Sequence, residues 1–195
     1  MDEKDQITFE GSINAVMSNI PGLNIAWGLS MALYGSGLKL RQKKALEWVE
    51  MVRDNPGIFI LDLLQNETFQ DGFVYALEKY IIERNEEKRQ YFRNIFLGFS
   101  ASDDKQNFPL EKFVHTLSQM NEIDIEVMRD IDANKKESYQ IYKDKEDYRL
   151  DNIFSLINLG ILNTDSSSRL GSITAPFVTI SAFGKEFIKY IKDEK

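Results

Sequence analysis

The residue types that carry out most enzyme chemistry are scarce in this sequence. Among its 195 residues there is no Cys and a single His, His115. This excludes thiol nucleophiles, disulfides, Cys-ligated metal sites, and every triad or metal site that needs two histidines. The sequence also lacks the glycine-rich phosphate-binding motifs and the G-x-S-x-G nucleophile motif. We therefore predict a protein that is not an enzyme, with no catalytic residue, no cofactor and no metal.

A dense group of charges, Glu86-Glu87-Lys88-Arg89, could imitate the acidic and basic residues of a metal-dependent nuclease. Such a site normally needs another carboxylate at the end of a strand, and no strand pattern precedes this group. Acids at a helix N-terminus are stabilising by about 0.3–1 kcal/mol. We interpret the group as the charged first turn of a helix. The acid pairs Asp103-Asp104 and Asp144 with Asp147 fall in polar segments, which rarely shift a carboxyl pKa enough for catalysis.

The overall composition is that of a globular protein with an acidic surface. Hydrophobic residues make up 43% of the chain, and 31 acids against 24 bases give a net charge of -7. This sign argues against a protein that lives mainly on nucleic acid. The first residues include Asp2, Glu3 and Asp5, where a secretory signal would be basic. We expect a cytoplasmic protein, with a position at the membrane periphery as the alternative.

The most unusual stretch is Gly11–Leu38, which has 28 consecutive residues without a charge. Its Asn, Ser and Gly content argues against a permanent membrane span, and Pro21-Gly22 divides it into two short apolar helices. We expect a buried hairpin or an oligomer interface. Contact with a membrane is the alternative, favoured by the basic run Lys39, Arg41, Lys43 and Lys44 that follows. The candidate contact residues are Trp27, Leu29, Leu33 and Tyr34.

Helical periodicity dominates the next eighty residues. Apolar residues recur at three- and four-residue steps in 38–52, 67–84, 86–99 and 108–120, which predicts amphipathic helices. A short helix is predicted after Pro56, and Asn85 is predicted to cap the helix that begins at Glu86. The neighbouring helices 67–84 and 86–99 should share an aromatic core that buries Phe73 and Phe92. His115 lies beside the apolar stripe of its helix and is interpreted as a structural, solvent-facing or hydrogen-bonded side chain.

The last seventy-five residues change character. A helix pattern over 125–131 precedes a charged stretch, 134–149, and Leu150, Ile153, Phe154 and Ile157 then predict a helix that ends at Gly160. A turn-rich segment leads to a β-prone run, 174–181, and Ser181 is predicted to cap a final helix. We predict a mainly α fold: a helical domain over residues 1–120, then a winged-helix-like domain with a short β-hairpin over residues 121–195.

One long run of the chain resembles a known type of sequence. The run NETFQDGFVYALEKYIIERNEEKRQYFRNIFLGF resembles a phrase in uncharacterised helical proteins of bacteria, archaea and phages, including the Abi-alpha (abortive infection alpha) type. The matching residues are Asn66, Glu67, Phe69, Asp71, Glu86, Glu87, Lys88, Arg89, Arg93 and Asn94. The uncharged Pro-Gly segment and the basic amphipathic helix after it resemble the same type of protein. The segments LINLGILNTDSSSR and TISAFGKEFIKYI are similar to the wing and the closing helix of winged-helix domains. The resemblance implies a small helical protein in a phage-defence or mobile-element setting, with no known activity.

The winged-helix outline raises DNA binding as a function. Its reader helix would span 143–159, where Lys143, Lys145 and Arg149 are outnumbered by Asp144, Glu146, Asp147 and Asp151, and the wing adds Arg169. Phosphate attraction supplies most non-specific affinity for DNA, so an acidic reader helix is unfavourable. We predict a protein-interaction or oligomerisation module that binds a protein partner or itself. The alternatives are a membrane-active effector that inserts residues 11–38 and a DNA-binding winged-helix regulator.

Overall fold

The computed structural model describes residues 39–101, 108–133, 139–140, 149–164 and 177–191. These residues are mostly helical, with a small antiparallel sheet near the C-terminus, so the prediction of a mainly α fold with a short β-hairpin is confirmed. The chain divides into two compact units between Val114 and His115. This division falls inside the helix Leu110–Gln119. The sequence analysis placed the domain boundary just after that helix, between residues 120 and 121.

The first unit is built from antiparallel helices around an aromatic core. Its helices are α1 (Lys39–Arg53), α2 (Leu61–Leu64), α3 (Glu67–Ile82), α4 (Glu86–Ser100) and the first half of α5 (Leu110–Gln119). Trp48 of α1 is fully buried, with its ring centroid 5.0 Å from those of Tyr80 and Phe96. Phe73 and Phe92 are also buried, as predicted. Sequence analysis did not include Trp48 in the core.

Asparagine side chains begin the two central helices. The Oδ1 of Asn66 accepts a hydrogen bond from the backbone N–H of Phe69 at 3.0 Å, and the Oδ1 of Asn85 accepts one from Lys88 at 2.8 Å. Each bond satisfies an N–H that the first helical turn leaves without a partner. The predicted cap at Asn85 is confirmed. The short helix predicted after Pro56 begins later, at Leu61, because residues 56–58 form a turn.

The second unit combines helices with a three-stranded sheet. It contains α6 (Glu122–Ala133), β1 (Tyr139–Gln140), α7 (Arg149–Asn158), β2 (Leu162–Thr164), β3 (Phe177–Ile180) and α8 (Ala182–Ile191). The sheet order is β1-β3-β2, with both pairs antiparallel; Val178 of β3 lies opposite Tyr139 on one side and Thr164 on the other. The β2–β3 pair is the predicted hairpin. Strand β1 was not predicted, because two residues are too few to show an alternating pattern.

Local signals place both ends of the β2–β3 hairpin. Gly160 has φ +74, and the N–H groups of Gly160 and Ile161 bond to the carbonyls of Ile157 and Leu156, which ends α7 in a Schellman motif. The Oγ of Ser181 accepts the N–H of Gly184 at 2.8 Å and donates to the carbonyl of Gly160 at 2.6 Å. The predicted end near Gly160 and the predicted cap at Ser181 are both confirmed.

Candidate functional site

Charged groups gather at one end of the first unit. Helices α1 and α3 are antiparallel, because Lys44 contacts Ile81 while Trp48, further along α1, contacts Phe73, further back on α3. The start of α1, the end of α3 and the start of α4 therefore lie at the same end. We call residues 39–44 and 79–89 the basic end, since they contain eight Lys or Arg residues and three Glu residues.

Lys44 is buried inside the basic end. Its Nζ donates to the carbonyl of Ile81 at 3.1 Å and to that of Glu83, so the ammonium group caps the C-terminus of α3. Burial, and then the positive charge of Arg89, lower the pKa of Lys44 below its ordinary value. The sequence analysis counted Lys44 in the basic run that would favour membrane contact, but the structure buries this residue, with an exposure of 4%.

Glu83 connects the turn between α3 and α4. Its carboxylate accepts the N–H groups of Arg84 and Asn85 at 2.7 and 2.9 Å and lies 2.9 Å from the ammonium of Lys88. Burial acts to raise the pKa of Glu83, but the hydrogen bonds from Asn85 and Lys88 outweigh it, and the pKa lies below its ordinary value. The Glu83–Lys88 ion pair and the hydrogen bonds of Lys44 together hold the turn in one conformation.

The charged group at 86–89 forms the first turn of α4, as interpreted from the sequence. Glu86 is 82% exposed and pairs with Arg89, while the carboxylate of Glu87 accepts a hydrogen bond from Tyr91 one turn later. The Lys88 side chain, in contrast, is largely buried, because its ammonium group pairs with the carboxylate of Glu83. Within the described ranges, no three His, Cys, Asp or Glu residues are grouped so that they could hold a metal ion.

Tyr80 is the titratable side chain most strongly affected by burial in this region. Its residue exposure is 1%, and its hydroxyl donates to Glu47 at 3.0 Å. Burial is the main cause that raises the pKa of Tyr80 to about 12. The unfolded chain therefore releases this proton near pH 10, whereas the folded protein keeps it to a higher pH. The contribution of Tyr80 to stability is complete below pH 10 and is lost as the pH rises towards 12.

Replacing Tyr80 with Phe is expected to remove this alkaline dependence. Between pH 10 and 12 the native protein should lose about 2–3 kcal/mol of unfolding free energy relative to Tyr80→Phe, because each tenfold difference in proton affinity is worth about 1.4 kcal/mol. Urea unfolding of both proteins at several pH values measures this difference. The other titratable groups are common to both proteins, so their contribution cancels in the difference between the two unfolding free energies. A difference that stays constant with pH would contradict the assignment.

A cleft of about 310 Å³ lies between α1 and α4. Its walls carry the acids Glu47, Glu50 and Asp54 and the cation Arg93, with Leu97 among its apolar contacts. Three acids against one cation give the lining a net negative charge, which suits a cation better than an anion. Arg93 makes no ion pair within the part of the chain that the structure describes.

In the second unit, a buried polar cluster joins α6 to α7. Asn121 and Asp124 form a reciprocal capping box: each side chain accepts the other's backbone N–H at 2.9 Å. The amide of Asn152 on α7 donates to Asp124 at 2.8 Å. Asp124 is 1% exposed, and these bonds satisfy both of its carboxylate oxygens. The cluster therefore orients α7 on the unit, and with it the outer face of that helix.

The outer face of α7 carries an apolar stripe. Phe154 is 48% exposed, and the partly exposed Leu150 and Ile157 lie four residues before it and three after it, on the same side of the helix. Ile153 and Leu156, which lie further round the helix from Phe154, are buried. The sequence pattern grouped Phe154 with the apolar face, but the structure places it in solvent.

The structure describes few of the candidate site residues. Arg149 begins α7, where its guanidinium lies 3.2 Å from Asp130 of α6. His115 is exposed on α5. The other candidates lie outside the described residues: Trp27, Leu29, Leu33, Tyr34, Lys143, Lys145 and Arg169. Sequence reasoning missed the exposed Phe154 and the buried Lys44, and no signal in their local patterns distinguishes them from their neighbours.

Among the helices described, none combines the length and the apolar composition needed to cross a membrane.

No family model, curated protein or solved structure matches this chain. The resemblance to Abi-alpha sequences therefore stays a prediction.

Proposed function

We propose that the protein is a non-enzymatic interaction module that binds a second copy of itself through the outer face of α7. The observation that carries this proposal is the exposure of Phe154 at the centre of the apolar stripe formed with Leu150 and Ile157. Among the Phe side chains whose exposure the structure describes, Phe154 is exposed, whereas the others are buried or only partly exposed.

An exposed aromatic ring between two aliphatic neighbours is typical of the centre of a protein interface. Aromatic residues are enriched there because they remove a large apolar area from water at a small cost in side-chain entropy. Helix α7 is also held rigidly by the Asn152–Asp124 hydrogen bond, so the stripe is presented in one orientation. A preorganised apolar face loses less entropy on binding than a flexible one.

The order of elements supports a winged-helix-like arrangement of the second unit. A helix, a short strand, the helix α7 and the β2–β3 hairpin follow one another, and β3 lies between β1 and β2. In this arrangement α7 is the helix that a DNA-binding relative would place in a groove. Here its cation Arg149 is paired with Asp130, and Asp151 is exposed nearby. For Arg149 to contact a DNA phosphate, its ion pair with Asp130 would have to break, and the carboxylate of Asp151 would repel the phosphate. Binding of a protein therefore suits this face better than binding of DNA.

The buried polar groups support a role other than catalysis. Lys44, Asp124 and Ser181 each satisfy backbone groups at helix ends, and their donors and acceptors point into the fold. A setting in phage defence remains part of the proposal on the strength of the sequence resemblance alone.

Replacing Phe154 with Asp tests the proposal. The native chain is expected to show a mass above that of the monomer in light scattering after size exclusion, rising with concentration, and Phe154→Asp is expected to shift it to the monomer. Ile123→Asp is the matched control, since Ile123 is 41% exposed in the same unit but outside the stripe. A native chain that stays monomeric, or a control that dissociates equally, would contradict the assignment.

A further inference from the structure

The basic end also has the properties of a membrane-binding surface. We propose that it binds the surface of an anionic lipid bilayer. Leu40 and Ile82 provide the apolar contact, and Arg41, Lys43 and Arg84 contact the lipid head groups. This surface belongs to the first unit, whereas α7 belongs to the second.

Exposed apolar side chains lie at this end of the unit. Leu40 is 62% exposed and precedes Lys44 by one helical turn, so it lies on the side of α1 that faces the end of α3. Ile82, the last residue of α3, is 49% exposed. Two large aliphatic side chains left in water at a helix terminus are suited to insertion at the depth of lipid head groups.

The charges at the same end complement an anionic surface. Arg41, Lys43 and Arg84 are exposed, and the Lys43 side chain is 73% exposed with only a long contact of 3.8 Å to Glu47. The exposed acids at this end already have partners within the protein: Glu86 forms an ion pair with Arg89, and Glu87 accepts a hydrogen bond from Tyr91. A local excess of positive charge in a chain with a net charge of -7 is a marked asymmetry.

A membrane fits these observations better than a nucleic acid does. Phosphate contact alone would explain the exposed cations, but it would leave Leu40 and Ile82 without a role. The sequence next to this end favours lipid as well, because the 28 residues before Lys39 carry no charge and include Trp27 and Tyr34. Aromatic residues of these two types are enriched at membrane interfaces.

The test is co-sedimentation of the full chain with extruded vesicles. Vesicles of phosphatidylcholine with about 30% phosphatidylserine are compared with phosphatidylcholine alone at low ionic strength. We expect binding to the anionic vesicles only, weakened by salt. Each basic residue near such a surface contributes about fivefold to partitioning, so Arg41→Glu with Lys43→Glu should weaken binding by at least tenfold. Leu40→Asp with Ile82→Asp should weaken it similarly.

The matched control carries the same kinds of change at the other end of α1. Arg53→Glu with Ile60→Asp alters one cation and one aliphatic residue of comparable exposure, and it should bind vesicles within twofold of the native chain. Phe154→Asp should also bind normally, which separates this proposal from the one for α7. Binding to neutral vesicles, equal losses in the control, unaltered binding by both basic-end variants, or binding to duplex DNA but to neither vesicle would overturn the proposal.

Discussion

Replacing Phe96 with Ala is expected to lower the free energy of unfolding by about 3–5 kcal/mol, a large part of the roughly 5–15 kcal/mol of a typical domain. The side chain is fully buried in the first unit. Its ring is within 5.0–5.7 Å, centroid to centroid, of four others, those of Trp48, Phe59, Phe69 and Phe73. Truncation would leave a cavity between helices that are fixed by caps at both Asn66 and Asn85, so the site cannot collapse easily.

Urea unfolding followed by far-UV circular dichroism measures this effect. Ile60→Ala is the matched control, because truncating this side chain, which is 56% exposed in the same unit, should change the free energy of unfolding by no more than about 0.5 kcal/mol. Equal stabilities of the two variants would show that the aromatic core does not stabilise the first unit as argued.

Replacing Gly184 with Ala is expected to destabilise the second unit by about 3 kcal/mol, at the upper end of the usual cost of overpacking. An added Cβ would lie 2.3 Å from the carbonyl oxygen of Ile161 and 2.9 Å from the Cγ2 of Ile180. The Ile161 carbonyl cannot retreat freely, since it accepts the N–H of Ser181 at 2.9 Å. Ala is intrinsically better than Gly in a helix by about 1 kcal/mol, so the clash must outweigh a gain in propensity.

Two other glycines serve as controls for this substitution. An added Cβ at Gly57 meets nothing within 4 Å, so Gly57→Ala should change stability by no more than about 0.5 kcal/mol. At Gly72 the nearest atom is the Cδ2 of Leu110 at 3.0 Å, the end of a flexible side chain, and the effect should be intermediate. Thermal unfolding and the hydrogen exchange of α8 amides report the order of the three variants. If the Gly184→Ala variant proved as stable as the Gly57→Ala variant, the close approach of Gly184 to the Ile161 carbonyl would be contradicted.

Features that depend on neighbours along the chain were predictable from the sequence. The caps at Asn85 and Ser181 and the helix end near Gly160 follow from side-chain or backbone properties that act within a few residues. The burial of Phe73 and Phe92 follows from apolar spacing, which determines the face that a helix turns inward. The absence of Cys and the single His likewise define, without a structure, which site chemistries the chain can use.

Features that depend on which helices meet required the tertiary structure. Lys44 belongs to a basic run in the sequence, yet it is buried because the carbonyls at the end of α3, about forty residues away, lie within reach of its ammonium group. Phe154 follows the apolar Ile153 in the chain, yet only Ile153 is covered, because Asn152 and Asp124 set the rotation of α7. Gly184 has no local pattern that marks it, since the need for glycine comes from the backbone of Ile161, which directly precedes β2. Periodicity and capping act along the chain, whereas these three environments arise from contacts between distant segments, and no local sequence pattern encodes such contacts.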